Sequence, residues 1–245
     1  MKKSLLISFF VSFFLTGCAV EKYSTLPAGT LIVYASQAGE PAMDSVGKED
    51  KNSPFTVALL GNLNNQEDIN LVLRKVRQQV LDLTEQRQRP VTYDSFTNGS
   101  LVLADINNNY PKKLRARALV IGNSDYKSIG KLRNPENDAN AISELLTKLN
   151  FSVTKSVNRS RTNLLADISD FQNSAKDSDI TIFFFAGYGV QIEGKNYLMP
   201  IDIVGNSERS VQEGAIAVNE IVEKFPGYTR LFFIDADSDN PFKSR

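Results

Sequence analysis

The sequence predicts an α/β fold, and three observations carry that expectation. Short apolar runs rich in β-branched and aromatic residues stand at Arg117–Gly122, Ile180–Phe185 and Arg230–Ile234, the composition of strands buried on both faces of a parallel sheet. Segments with apolar residues at helical spacing lie between such runs, so strands and helices alternate along the chain. Ser53-Pro54 and Asn134-Pro135 each pair a capping side chain with proline, which suits the first helical position because its missing N–H has no partner there anyway.

In chain order, the first eighteen residues read as a targeting segment. Lys2 and Lys3 supply positive charge, Leu5 to Leu15 is an apolar run too short to span a bilayer, and small residues follow. Leu15-Thr16-Gly17-Cys18 resembles the lipobox of bacterial lipoproteins, which makes Cys18 the lipidation site. Two or three acyl chains there form a stable membrane anchor. A plain secretory signal with an incidental cysteine is the alternative. Ala19, rather than Asp, follows the cysteine, which in a Gram-negative lipoprotein implies the outer membrane of the cell envelope.

Thr30 to Ser36 is a β-rich run, Gly39 to Lys51 a polar loop, and Ser53-Pro54 opens a helix to about Leu60. Ile69 to Leu83 has helical apolar spacing, and Ser100 to Ala104 reads as a strand. Asp105 to Lys113, rich in Asn and holding Pro111, is the linker between residues 19–104 and 114–245. Beyond it come the strand Arg117–Gly122, ending in a glycine turn, a helix from Asn134-Pro135 to about Leu149, and a strand at Phe151–Ser156. A helix around Leu164–Phe171, strands at Ile180–Phe185 and Asn196–Pro200, a helix at Val218–Lys224 and the strand Arg230–Ile234 complete the series. Gly187-x-Gly189 reads as a tight turn, too short to cradle phosphate.

Composition excludes more than it suggests. The chain has no histidine, and Cys18 is its one cysteine. A cysteine peptidase needs a thiolate and an imidazole, and the folded domain can supply neither. Zinc sites of the Cys/His type and internal disulfides are excluded on the same ground. Twenty-eight basic residues balance twenty-eight acidic ones, so no net charge points to nucleic acid. No sequence feature requires a cofactor.

From Arg117 onward five motifs in order resemble caspase-like and metacaspase-like peptidases. They are Ala118–Tyr126, Leu132 with Asn134-Pro135 and Asn137-Asp138-Ala139, Phe184–Val190, Asn196–Pro200, and Ile234-Asp235-Ala236-Asp237 followed by Asn240-Pro241-Phe242. The third normally reads A-G-H-G and the last D-A-C, so Tyr188 stands at the place of the base and Asp237 at that of the nucleophile. Their separation, forty-nine positions, matches the spacing of about fifty in caspases. The resemblance implies a three-layer sandwich, a mostly parallel sheet with helices on both faces. It leaves no catalytic residue, only the degenerate positions Tyr188 and Asp237.

The first half resembles the same family's small-subunit portion. Gly29–Ser36, Asn52–Thr56, Arg74–Arg77 and Arg87–Pro90 match segments that come last in ordinary members. The domain is therefore read as circularly permuted, residues 19–104 supplying the small-subunit half and 114–245 the large. A truncated tandem or a swapped dimer is the competing account, and the oligomeric state stays open.

Three uses of the altered site follow. In metacaspase-like relatives the counterparts of Asp138 and Asp235 line an acidic pocket for basic side chains, which implies binding of a basic peptide or protein partner without cleavage. The bland alternative is that Asp138 merely caps or solvates the first helical turn and Asp235 ends a strand. Asp235, Asp237 and Asp239 alternate as oxygen ligands that would suit Mg²⁺ or Ca²⁺, the basis for a metal-dependent hydrolase. Lastly, Tyr188 packed above Ala236 would seal the groove and leave a scaffold.

Overall fold

A computed structural model describes residues 26–37, 40–97, 99–106, 113–204 and 207–237. Cys18, Asp239 and most of the 105–113 linker lie outside the described residues, as does the side chain of Asp237. The elements are β1 (Thr30–Tyr34), α1 (Pro54–Asn62), α2 (Ile69–Leu83), β2 (Val91–Asp94), β3 (Ala116–Gly122), α3 (Pro135–Lys148), β4 (Ser152–Val157) and α4 (Arg161–Ser174). They continue with β5 (Ile180–Ile192), β6 (Lys195–Leu198), α5 (Glu208–Gly214), β7 (Ile216–Ala217), α6 (Val218–Lys224) and β8 (Thr229–Asp237).

Strand order is β2-β1-β8-β5-β3-β4, with β2 antiparallel and the other five parallel. The two halves of the chain thus share one sheet, joined where β1 runs parallel to β8. Side chains alternate across it as the pleat requires. Ile182, Phe184 and Phe233 enter a core under α1, α2 and α3. Phe183, Phe185 and Phe232 enter a second core under α4 and α6. In that second core Phe225 stacks on Phe171 at 5.1 Å and meets Phe232 at 5.0 Å between ring centroids. The α/β, three-layer expectation holds.

Several local expectations need correction. Ser100 to Ala104 is not a strand: Leu103–Asp105 forms a single 3-10 turn, with Leu101 and Leu103 packed into the first core. Strand β2 follows Pro90 where no strand was expected, and α5 and β7 were also unforeseen. Asn134 precedes α3 but makes no side-chain cap. Its amide donates instead to the Asp44 carbonyl, while Ser124 Oγ accepts the N–H of Glu136.

Gly187-x-Gly189 is not a turn, because β5 runs unbroken from Ile180 to Ile192. Its first part pairs with β3 and β8, and its last four residues with β6. The glycines are needed for close approach. A Cβ on Gly187 would stand 2.5 Å from the Tyr126 hydroxyl, and one on Gly189 2.7 Å from Ala236 Cβ. Among the described residues no helix is long and apolar enough to cross a membrane.

Candidate functional site

Open parallel sheets present ligand sites beyond the carboxyl ends of their strands, and the buried carboxylates of this chain gather there. Asp235 sits near the end of β8, in register with Ala186 of β5. Asp138 lies in the first turn of α3, and only 1% of it is exposed. The N-terminus of α1 meets both. Ser53 caps α1 by accepting the Thr56 N–H on its hydroxyl oxygen at 3.0 Å. Its own N–H donates to Asp138 Oδ1 at 3.0 Å, and its hydroxyl donates to Asp235 Oδ2. Asn52 Nδ2 adds a 2.8 Å bond to Asp138, and the Thr56 hydroxyl one of 3.3 Å to Asp235.

Asp138 therefore neither solvates its helix start nor caps it. Both carboxylates are locked inward, against an element far away in sequence. Burial, the largest influence, pushes the Asp138 carboxyl up to about 7, and the charge of Asp44 adds to it while the Asn52 and Ser53 hydrogen bonds oppose it. Asp235 is raised well above the ordinary carboxylate range, first by burial and then by the charge of Asp138. No Lys or Arg among the described residues pairs with either.

A narrow pocket opens onto this pair. Asp44, Ser53, Leu132, Asp138, Gly187 and Asp235 are among its walls. The loop bearing Asp44 is held firmly. Gln88, fully buried, donates to the Ala35 carbonyl at 3.0 Å and accepts the Met43 N–H at 2.9 Å. The Arg133 guanidinium grips the carbonyls of Gly47, Lys48 and Asp50, while its N–H donates to Asp44.

Tyr188 and Asp237, the degenerate positions, are direct register partners on β5 and β8. The Tyr188 ring packs edge-on against Tyr126, with centroids 4.8 Å apart, rather than over Ala236. Ala236 instead faces Gly189, whose missing Cβ makes the approach possible. Backbone bonds lock the Tyr188 station. Its N–H donates to the Tyr126 hydroxyl, which donates to the Met199 carbonyl, and the Met199 N–H donates back to the Tyr188 carbonyl. Among the described residues no three His, Cys, Asp or Glu side chains are arranged to hold a metal ion. Of the proposed metal trio, Asp239 and the side chain of Asp237 lie outside those residues.

A wider cleft runs between Tyr34, Tyr93, Gln191 and Tyr197, and among the described residues no charged side chain lines it. Sequence reasoning paired Asp138 with Asp235 but missed their organisers. Ser53 was legible only as a helix cap, Asp44 lay unmarked in a polar loop, and Tyr126 carried no signal as a support for Tyr188.

The family model of the caspase domain matches residues 17–100 and 115–243, more than half of the chain. No curated protein matches. Among solved structures, protein GSU0716 from Geobacter sulfurreducens is similar at 19% identity and a TM-score of 0.38. That match covers 49% of this chain, which thus spans about half of the other's length.

Proposed function

The chain belongs to the caspase-domain family, and from that membership we propose that it is a non-cleaving relative whose acidic pocket binds a basic side chain of a protein or peptide. The observation that carries this reading is the pair Asp138 and Asp235, both buried, both held by Ser53 and neither matched by a cation of the described chain. Two carboxylates removed from water favour a charged hydrogen-bond donor strongly. Cleavage has no means: histidine is absent, and the position of the nucleophile holds Asp237. Peptidase chemistry needs an activated nucleophile and a base.

The same reading takes the domain as circularly permuted. Strand β1, which the resemblance matches to the strand that ordinarily follows the nucleophile, lies parallel beside β8. It also takes Cys18 as a lipid anchor at the cell envelope, on the pattern Leu15-Thr16-Gly17-Cys18.

The test uses the intact chain and fluorescent peptides carrying one basic residue or a neutral isostere. Anisotropy should register binding of the basic peptide alone, lost in the Asp138→Ala/Asp235→Ala variant, with the peptide recovered uncut by mass spectrometry. Equal binding by the variant would move function away from the pocket, and a cut peptide would end the non-cleaving reading.

A further inference from the structure

The amino ends of the strands, opposite the acidic pocket, carry the exit of the chain's first segment. Leu26 packs against the second core. The Pro27 carbonyl accepts the Ser95 hydroxyl at 2.8 Å, the Ala28 carbonyl accepts Arg230 Nη2 at 2.6 Å, and the Gly29 carbonyl accepts the Arg230 N–H at 2.8 Å. These bonds fix residues 26–29 beside the first residues of β8. Tyr228 stands against them, since a Cβ on Gly29 would collide with its carbonyl oxygen. At 79% exposure, Tyr228 is the most exposed large hydrophobic side chain among the described residues.

The length of chain ahead of this point limits which way the domain can face a membrane. Cys18 lies eight residues before Leu26, a span of at most about 29 Å when fully extended. Strand β5 starts level with Thr229 and runs thirteen residues toward the opposite end, about 40 Å of backbone. A lipid on Cys18 is therefore too close to let the domain stand on its carboxyl ends. Tyrosine has an apolar ring and a polar tip, and such rings settle at the headgroup level of a bilayer. Phe96 and Leu114 line a recess beside Tyr228 and add apolar surface. Charge adds little, because Arg115, Lys176, Lys224 and Arg230 on this edge are offset by Asp177, Asp179 and Glu223.

We infer that the amino-end edge of the sheet lies against phospholipid headgroups, with Tyr228 seated among them, and that the pocket of Asp138 and Asp235 is thereby turned away from the bilayer. Asp235 is six residues along β8 from Thr229, about 20 Å from that edge. The inference rests on the reading of Cys18 as a lipid anchor and adds to it the surface that the anchor draws down. A pocket turned outward stays open to a soluble partner while the domain remains tethered.

The chain has no tryptophan, so Tyr228→Trp and Val46→Trp each supply a single fluorescent probe. Val46 is exposed and lies two residues from Asp44, at the pocket end. The intact lipidated chain is placed in phosphatidylcholine vesicles with and without lipid brominated near the headgroup. The Tyr228→Trp probe should lose at least about half of its emission to the bromine, and the Val46→Trp probe almost none. Equal quenching of the two, or stronger quenching of Val46→Trp, would overturn the inference. An unquenched Tyr228→Trp probe, with the lipid on Cys18 verified by mass spectrometry, would overturn it and leave the anchor in place. A Cys18 without lipid would overturn anchor and inference together. Thermal melting checks that both exposed substitutions keep the fold. Adding phosphatidylglycerol should change the quenching by less than about twofold, because the edge is nearly balanced in charge. Quenching confined to the anionic vesicles would overturn the tyrosine-led contact in favour of charge attraction.

Discussion

Along β5 and β8 the same two strands are built on opposite principles at their middles and at their carboxyl ends. In the middle, Phe183, Phe184, Phe232 and Phe233 are almost fully buried, and Phe183 meets Phe225 at 5.7 Å and Phe232 at 5.9 Å. Nothing there titrates, and stability comes from apolar area and close packing. A few residues on, the strands carry Gly187, Gly189 and Asp235, and the last faces a second buried carboxylate. Burying like charges works against folding. The contrast teaches that the aromatic middle supports an end whose buried carboxylates work against the fold.

The largest effect should come from breaking the middle. Phe183→Ala removes a fully buried ring packed against two aromatic neighbours and should destabilise the domain by about 3–5 kcal/mol, read by urea unfolding. A loss under about 1 kcal/mol would mean that the second core carries little of the fold's stability.

The carboxyl end should respond in the opposite direction. The Asp138 carboxyl titrates at about 7 in the folded chain, above its ordinary value of 3.8. Between those values the native state holds more protons than the unfolded chain, so stability is full at low pH and falls as pH rises. The slope reaches on the order of 1 kcal/mol per pH unit. Asp138→Asn keeps an acceptor for Asn52 and Ser53 but removes the charge. It should raise stability by about 1–3 kcal/mol near pH 8 and by almost nothing near pH 4. Thermal melts across that range check the sign, and a variant less stable at high pH would show that the charge is already compensated.

Tyr126→Phe is the finest probe. It deletes the hydroxyl that accepts from Tyr188 and donates to Met199, and should lower stability by about 1 kcal/mol. Hydrogen exchange at Tyr188, measured by NMR, should rise with it. An unchanged amide would mean that the neighbouring strand, rather than Tyr126, holds the Tyr188 station.

How much was legible follows the range of the interactions. Helices α2 and α6 were readable to the residue, because their apolar spacing and ends are written locally. Strand β2, four residues on a sheet edge with no fully buried side chain, carries no comparable pattern. The glycine pair in β5 was misread because glycine marks a turn and a close approach alike, and only the neighbouring Tyr126 and Ala236 decide which. Asp138 and Asp235 were legible through their motifs, but Ser53 showed only its local duty as a cap.

The sequence by itself determined two things: the alternation of strands and helices that makes an α/β sheet, and the absence of histidine and of any cysteine beyond Cys18. Composition holds in any conformation, and periodicity is read within one element. The tertiary structure alone decided that Asp138 and Asp235 meet on Ser53, which lies 85 residues from the first and 182 from the second. No local pattern encodes contacts at that range, because they arise only when α1, α3 and the carboxyl end of β8 converge.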